Sequence, residues 1–139
     1  MSQLVLDDQL DIRAVLRPLR KWITARRLQE LRPGELILDD RVPQILRTLK
    51  QPTFVTIDQG FWSPRWTDHN YAILCLALRN DQQRRLPGLL RALFRHPEFR
   101  TRAKRMGKVA RVGPTTIEWW QFRRADLRRI VWRGASPRR

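Results

Sequence analysis

"TFVTIDQGFWSPRWTDHNYAILCLAL", residues 53–78, decides the fold. Two continuous apolar runs, "TFVTI" (53–57) and "YAILCLAL" (71–78), flank a linker rich in turn residues. Neither run alternates cleanly between apolar and polar side chains. Strands covered on both faces of a parallel sheet read this way.

The flanking segments alternate between helix and strand patterns. "QLVLD" (3–7) is a short apolar strand that ends on Asp7. "DIRAVLRPLR" (11–20) puts Ile12, Val15, Leu16 and Leu19 at helical spacing, with Pro18 limiting or distorting the last turn. "KWITA" (21–25) reads as a strand, followed by a connection with a turn at Pro33-Gly34. "DDRVPQILRTLK" (39–50) reads as a helix with an Asp start signal and Pro43 in its first turn. A further helix spans 82–95, with Leu86, Leu89, Leu90, Leu93 and Phe94 on its apolar side. "KVARV" (108–112) and "TIEWWQF" (116–122) form two late strands, joined in a loose hairpin around Gly113-Pro114. The order β-α-β-α-β-β-α-β predicts a three-layer α/β domain with a largely parallel sheet. That domain is expected over 1–122, with a basic C-terminal extension over 123–139 whose last residues, "RGASPRR", are mobile.

The chain has 139 residues, enough for one domain with a real core, and 42% of them are apolar. No run approaches about 18 uninterrupted apolar residues, so no membrane span is expected. "MSQLVLDDQLD" lacks the basic start and long apolar run of a signal peptide. The single cysteine, Cys75, cannot close an internal disulfide, and a reducing cytoplasm fits best. The formal net charge is +16. It is uneven: residues 1–68 hold 11 basic and 9 acidic residues, whereas 69–139 hold 18 basic and 4 acidic. Such a field attracts polyanions, nucleic acid first among them, because Arg greatly outnumbers Lys and pairs with phosphate in a bidentate fork. The alternatives are a solvated surface, an acidic protein partner and an anionic membrane.

The seven aspartates of the first half gather in three places: Asp7, Asp8 and Asp11; Asp39 and Asp40; Asp58 and Asp68. Asp7 and Asp58 end strands, and Asp39 and Asp40 open a helix. Ligands of open α/β sheets bind beyond the carboxyl ends of strands. Converging carboxylates repel, and Mg²⁺ or Mn²⁺ relieves the repulsion while retaining waters for chemistry. Taken singly, each also fits a structural role: Asp39 as an N-cap, Asp58 as the cap of the "QGFW" turn, Asp8 and Asp11 as solvated or helix-dipole residues.

"VLDDQLD", "LILDDRVPQIL" and "FVTIDQGFW", spaced 33 residues from Asp7 to Asp40 and 18 from Asp40 to Asp58, resemble the PIN-like domains related to the VapC toxins. More weakly, "YAILCLALRNDQ" and "HPEF…KVARVGPTTIEW" extend the resemblance over most of residues 3–120. It implies a three-layer PIN-like fold and a Mg²⁺- or Mn²⁺-dependent endoribonuclease, the toxin of a toxin–antitoxin pair. It also implies an antitoxin partner and a homodimer. By that resemblance Asp7, Asp40 and Asp58 hold the metal, Asp40 being preferred to Asp39 on spacing, with Asp8, Asp39 and Asp68 as possible support. One departure stands out: relatives often carry a second Asp where this chain has Gly60. That leaves a second reading, a PIN-like module without catalysis that binds RNA or a protein.

Several other residues have two readings. Trp62 and Trp66 either stack on bases or pack their loop onto the sheet. Trp119 and Trp120 are adjacent, so in a strand they point to opposite faces, one to the core. His69 is a proton shuttle or a structural histidine, His96 ends a helix, and Cys75 is an inert core residue. Arg65 and the dense basic segment "RTRAKRMGK" (100–108) are expected to clamp RNA phosphates through Arg65, Arg100, Arg102, Lys104, Arg105 and Lys108.

Overall fold

A computed structural model describes residues 3–134. The chain begins with β1 (Gln3–Leu6), then enters a helix capped by Asp11, whose carboxylate accepts the Ala14 N–H at 2.7 Å. That helix opens with a wide π turn over Ile12–Leu16 and continues as α1 (Arg17–Arg20). Pro18 explains the widening. It has no N–H to give the Ala14 carbonyl, and its ring crowds that carbonyl. Val15, Leu16 and Leu19 are buried as the periodicity requires, but Ile12 is exposed. β2 (Thr24–Arg27) starts three residues later than "KWITA" suggests. Lys21, Trp22 and Ile23 instead close the helix, bonding back to the Pro18 and Leu19 carbonyls.

The next connection holds a short helix, α2 (Leu28–Leu31), and turns at Gly34, whose φ of +79° suits glycine. A 3₁₀ turn (Asp39–Arg41) leads into α3 (Val42–Arg47), with Pro43 in the first turn, and the helix stops short of Lys50. β3 (Thr53–Thr56) and β4 (Ala72–Leu76) are buried at every position. The last crossover runs through a 3₁₀ segment (Asn80–Arg85), α4 (Leu86–Leu93) and α5 (Arg102–Arg105) to β5 (Lys108–Val112). The hairpin to β6 (Thr116–Gln121) closes through the Gly113 N–H and the Thr116 carbonyl.

The sheet has seven strands in the order β2-β1-β3-β4-β5-β6-β7. β1 to β5 pair in parallel, while β6 and β7 (Arg128–Val131) are antiparallel. The expected α/β class with a largely parallel sheet is therefore what forms. The segment expected as an extension beyond residue 122 carries β7 onto the sheet, anchored by the Trp132 indole N–H donating to the Gly113 carbonyl at 2.7 Å. Residues 135–139 lie outside the described residues.

Two apolar cores sandwich the sheet. On one face Leu4, Leu6, Val55, Leu74, Ala110 and Trp119 pack against α1 and α4. On the other, Val5, Phe54, Ile73 and Cys75 pack against α2, α3 and the Phe61–Trp66 connection, and no side chain of β6 or β7 joins that core. The steps from β3 to β4 and from β4 to β5 move the same way along the sheet, yet pass over opposite faces. They therefore have opposite hands, although parallel crossovers are right-handed in about 98% of cases.

The basic segment 100–108 is in part structural. Arg105 is 1% exposed. Its guanidinium donates to the carbonyls of Phe99 (2.8 Å) and Arg100 (3.3 Å) and to Thr53 Oγ1 (3.3 Å), and lies 4.2 Å from the Phe94 ring centre. Burial, then the Arg102 charge, pulls it down to about 10. Lys108 is also buried, its ammonium donating to the Glu98 carbonyl at 2.6 Å and lying 3.2 Å from the Glu98 carboxylate. Neither fits the phosphate clamp expected of it, because these bonds fasten the β5 approach to the sheet. Replacing Arg105 by Ala is expected to cost about 2–4 kcal/mol in urea unfolding, the scale of dismantling a buried hydrogen-bond network. Arg105→Lys recovers little of it, since one ammonium cannot reproduce the fork.

Candidate functional site

β1 and β3 are neighbours, and the chain leaves them in different directions: β1 crosses to β2 on one side, β3 to β4 on the other. That is the switch point of an open sheet, where a crevice forms beyond the strand ends. Asp7 and Asp58 lie just past those two ends.

One hydroxyl joins them. The Asp7 N–H bonds to the Val55 carbonyl at 3.0 Å, extending the β1–β3 pairing by one step. Thr56 Oγ1 donates to Asp7 Oδ2 at 2.7 Å and accepts from the Asp58 N–H at 2.9 Å. Asp58 Oδ1 in turn accepts the Gly60 N–H at 2.9 Å and starts the 3₁₀ turn Gln59–Phe61. Asp58 is thus a cap as well as a member of the acidic pair. Thr56 was visible in the "VTID" pattern but carried no role in the sequence reading. A Cβ at Gly60 would sit 3.1 Å from Asp58 Oδ1, so glycine keeps this turn uncrowded.

Burial raises the Asp7 carboxyl above its ordinary value, and the charges of Asp58 and Asp8 push the same way. The bonds from Thr56 and from the Gln9 N–H only partly offset them. Asp39 is also raised, first by lost hydration and then by Asp58 and Asp40. Asp58 therefore lies in the field of both Asp7 and Asp39. Asp39 and Asp40 are exposed in the first turn before α3, with Leu38 at the cap position and no side-chain cap bond. The Asp start signal acts through position in that turn, not through capping. Spacing favours Asp40 as a ligand, while the Asp39 carboxyl feels the charge of Asp58.

The remaining acidic candidates are engaged elsewhere. Asp8 accepts the Gln29 N–H at 3.1 Å, near the start of α2, and lies 3.8 Å from Arg27. Asp68 cannot support the site. It precedes β4, so it lies at the opposite end of the parallel strands, held by Arg47 at 2.8 Å and the Asn70 N–H at 2.8 Å. His69 is there too, its ring tilted 40° against Phe122 at 5.3 Å, which rules out a shuttle to Asp58. Among the described residues, no group of three or more His, Cys, Asp or Glu side chains is close enough to hold a metal ion.

The expected RNA contacts are similarly divided. Arg100, Lys104 and the half-buried Arg102 precede β5 and so sit at the far strand ends from Asp7 and Asp58. Arg65 is exposed, its guanidinium 4.4 Å from the Trp66 ring centre. Trp66 is buried and donates its indole N–H to the Gly60 carbonyl at 3.1 Å, so it packs the loop. Trp119 is buried and Trp120 half-buried on opposite faces. Cys75 is fully buried, with burial raising its thiol far above the usual range. Compared with models of protein families, with curated proteins and with solved structures, the chain matches none.

The raised carboxyl of Asp7 makes a signed prediction. Its native form holds a proton more tightly than its unfolded form, whose value is 3.8. Stability therefore falls as pH rises through the window between 3.8 and the raised value, and stays lowered above it. Asp7→Asn removes this penalty while keeping an acceptor for Thr56. Thermal unfolding at pH 7 is expected to show the variant more stable by about 1 kcal/mol, the usual gain from relieving a functional position. The difference closes as pH falls below the unfolded value; a gap independent of pH would contradict the assignment.

Proposed function

We propose that the chain is a divalent-cation-dependent ribonuclease whose acidic site comprises Asp7, Asp58 and the Asp39–Asp40 pair. The observation that carries this reading is the meeting of Asp7 and Asp58 at adjacent parallel strand ends, joined through Thr56 at the switch point of the sheet. Burial first, and then the like charges of Asp58 and Asp8, hold Asp7 in its protonated form more than an ordinary carboxyl. A hard cation with an all-oxygen shell is the ligand that such groups favour. Mg²⁺ or Mn²⁺ bound there would supply charge neutralisation and a more acidic water.

The chain's own residues would do the rest. Thr56 orients the Asp7 carboxylate, and the Gly60 N–H fixes one oxygen of Asp58. Asp39, on an exposed turn, has to move closer to complete the set, so cation affinity is expected to be modest. The positive field of the second half draws an RNA backbone toward the sheet. The resemblance to VapC-type toxins adds a toxin's role in the cytoplasm, an acidic antitoxin and a homodimer to the proposal.

The absence of a preformed three-ligand group among the described residues favours a second reading, an RNA-binding module without catalysis. Both are tested together. Purified protein with Mg²⁺ or Mn²⁺ is expected to cut RNA. Asp58→Asn, which keeps the oxygen that accepts the Gly60 N–H, should slow cutting by about 10²–10³-fold, the scale of removing one electrostatic stabiliser. Asp39→Asn should cost more than Asp40→Asn. Cutting that survives both EDTA and Asp58→Asn excludes the metal mechanism. No Mn²⁺ binding, with salt-sensitive RNA affinity retained, selects the second reading.

A further inference from the structure

Strand register aligns one row of residues on the α3 face of the sheet. Thr56 stands beside Cys75, Cys75 beside Arg111, Arg111 beside Glu118 and Glu118 beside Arg129. At about 4.8 Å per strand, Arg111 lies roughly 10 Å from Thr56 and Arg129 roughly 19 Å. The row therefore begins at the hydroxyl that holds Asp7 and ends at the outer strand, and since Thr56 and Cys75 are buried its accessible part runs from Arg111 to β7. Because the β4–β5 crossover passes over the other face, no helical core covers this row beyond β5. Arg111 and Arg129 are exposed, and Val131 beside them is 83% exposed.

Two tryptophans border the row. Trp62, four residues after Asp58, and Trp120, from β6, lie with ring centres 6.2 Å apart at 40°. The Arg111 guanidinium is 5.8 Å from the Trp62 ring centre. Both indole N–H groups are enclosed without a hydrogen bond, a state that native structures seldom leave unexplained. Arginines interleaved with half-buried aromatic rings on an open sheet face suit a single strand, whose phosphates need cations and whose bases need flat apolar partners.

We propose that single-stranded RNA lies across the open part of this face, from Arg111 to β7, and passes over Trp62 to the Asp7–Asp58 strand ends, with phosphates on Arg111 and Arg129 and bases against Trp62 and Trp120. The charge of residues 69–139, 18 basic against 4 acidic, fits a polyanion. The proposal rests on RNA being the ligand of the acidic site, but not on its being cut. Glu118 lies between the two arginines, 3.9 Å from Arg129, and opposes the phosphates. The path accommodates about four nucleotides, the low end of single-strand site sizes.

The test is fluorescence anisotropy of a labelled 12-mer of uridylate with the full chain in EDTA, where the cation-dependent chemistry is silent. Arg111→Ala with Arg129→Ala is expected to weaken binding about tenfold and to flatten the log–log salt slope by about 1.4, two contacts' worth on a single strand. Glu118→Gln should tighten binding two- to fivefold, a gain that misfolding cannot produce. Trp120→Phe, which keeps a ring, should bind more tightly than Trp120→Ala. Arg84→Ala with Arg95→Ala, on the opposite face, is the control and should stay within twofold. Unchanged affinity in the double variant, a larger loss in the control, or capture of polyglutamate with no RNA binding would each overturn the proposal. Loss of cutting with these binding results intact would remove the nuclease and leave the RNA path standing.

Discussion

The parallel pairing of β1 with β3 is the constraint on which the molecule depends. Three register pairs, Leu4 with Thr53, Val5 with Phe54 and Leu6 with Val55, set both strands in the sheet and aim every side chain on them. A slip of one residue would turn Leu4 and Leu6 to the opposite core. It would also separate Asp7 from Thr56, whose hydroxyl reaches that carboxylate only because the two stand side by side on one face. Packing and site are therefore specified by the same backbone hydrogen bonds. The site needs no support of its own beyond one threonine and one tight turn.

Much of the fold was legible because its strands are buried on both sides. Continuous apolar runs at 53–57 and 71–78 have few other uses in a chain this size. What escaped reading was local. "KWITA" has β-forming residues, but the helix before it takes their N–H groups, and the strand begins at Thr24. β7 was invisible because "RRIV" puts only Ile130 against the core and leaves its other three residues exposed, so no apolar run or alternation marks it, and pairing with β6 makes it a strand. For the acidic site, position along the sequence brought out Asp7 and Asp58 but misjudged Asp68. Asp68 and Asp58 are ten residues apart, yet an intervening connection carries the chain from one end of the sheet to the other. Arg105 and Lys108 were misread because basic residues in a basic run look solvated, and a guanidinium bonded to carbonyls leaves no trace in sequence.

The reversed hand of one crossover has a structural cost and a functional effect. Sending α4 over the α1 side thickens that core and leaves the other side thin beyond β5. Trp62 partly fills the gap, reaching back from the β3–β4 connection to Trp120. The face that remains open begins at Arg111, and buried Cys75 and half-buried Trp62 stand between it and the acidic strand ends. An asymmetric distribution of helices thus converts half of a buried sheet into accessible surface without lengthening the chain.

Both borders of the sheet carry adjacent arginines, Arg26 and Arg27 on β2 and Arg128 and Arg129 on β7. A strand border presents unpaired peptide groups to any other strand, including those of an identical molecule. Here two copies approaching border to border would bring like charges together at strand spacing, whichever borders met. The chain is in this way guarded against stacking into open-ended ribbons. That protection is strongest in dilute salt and fades as screening shortens below about 10 Å, and any self-association that keeps the guard in place has to use helices rather than strands.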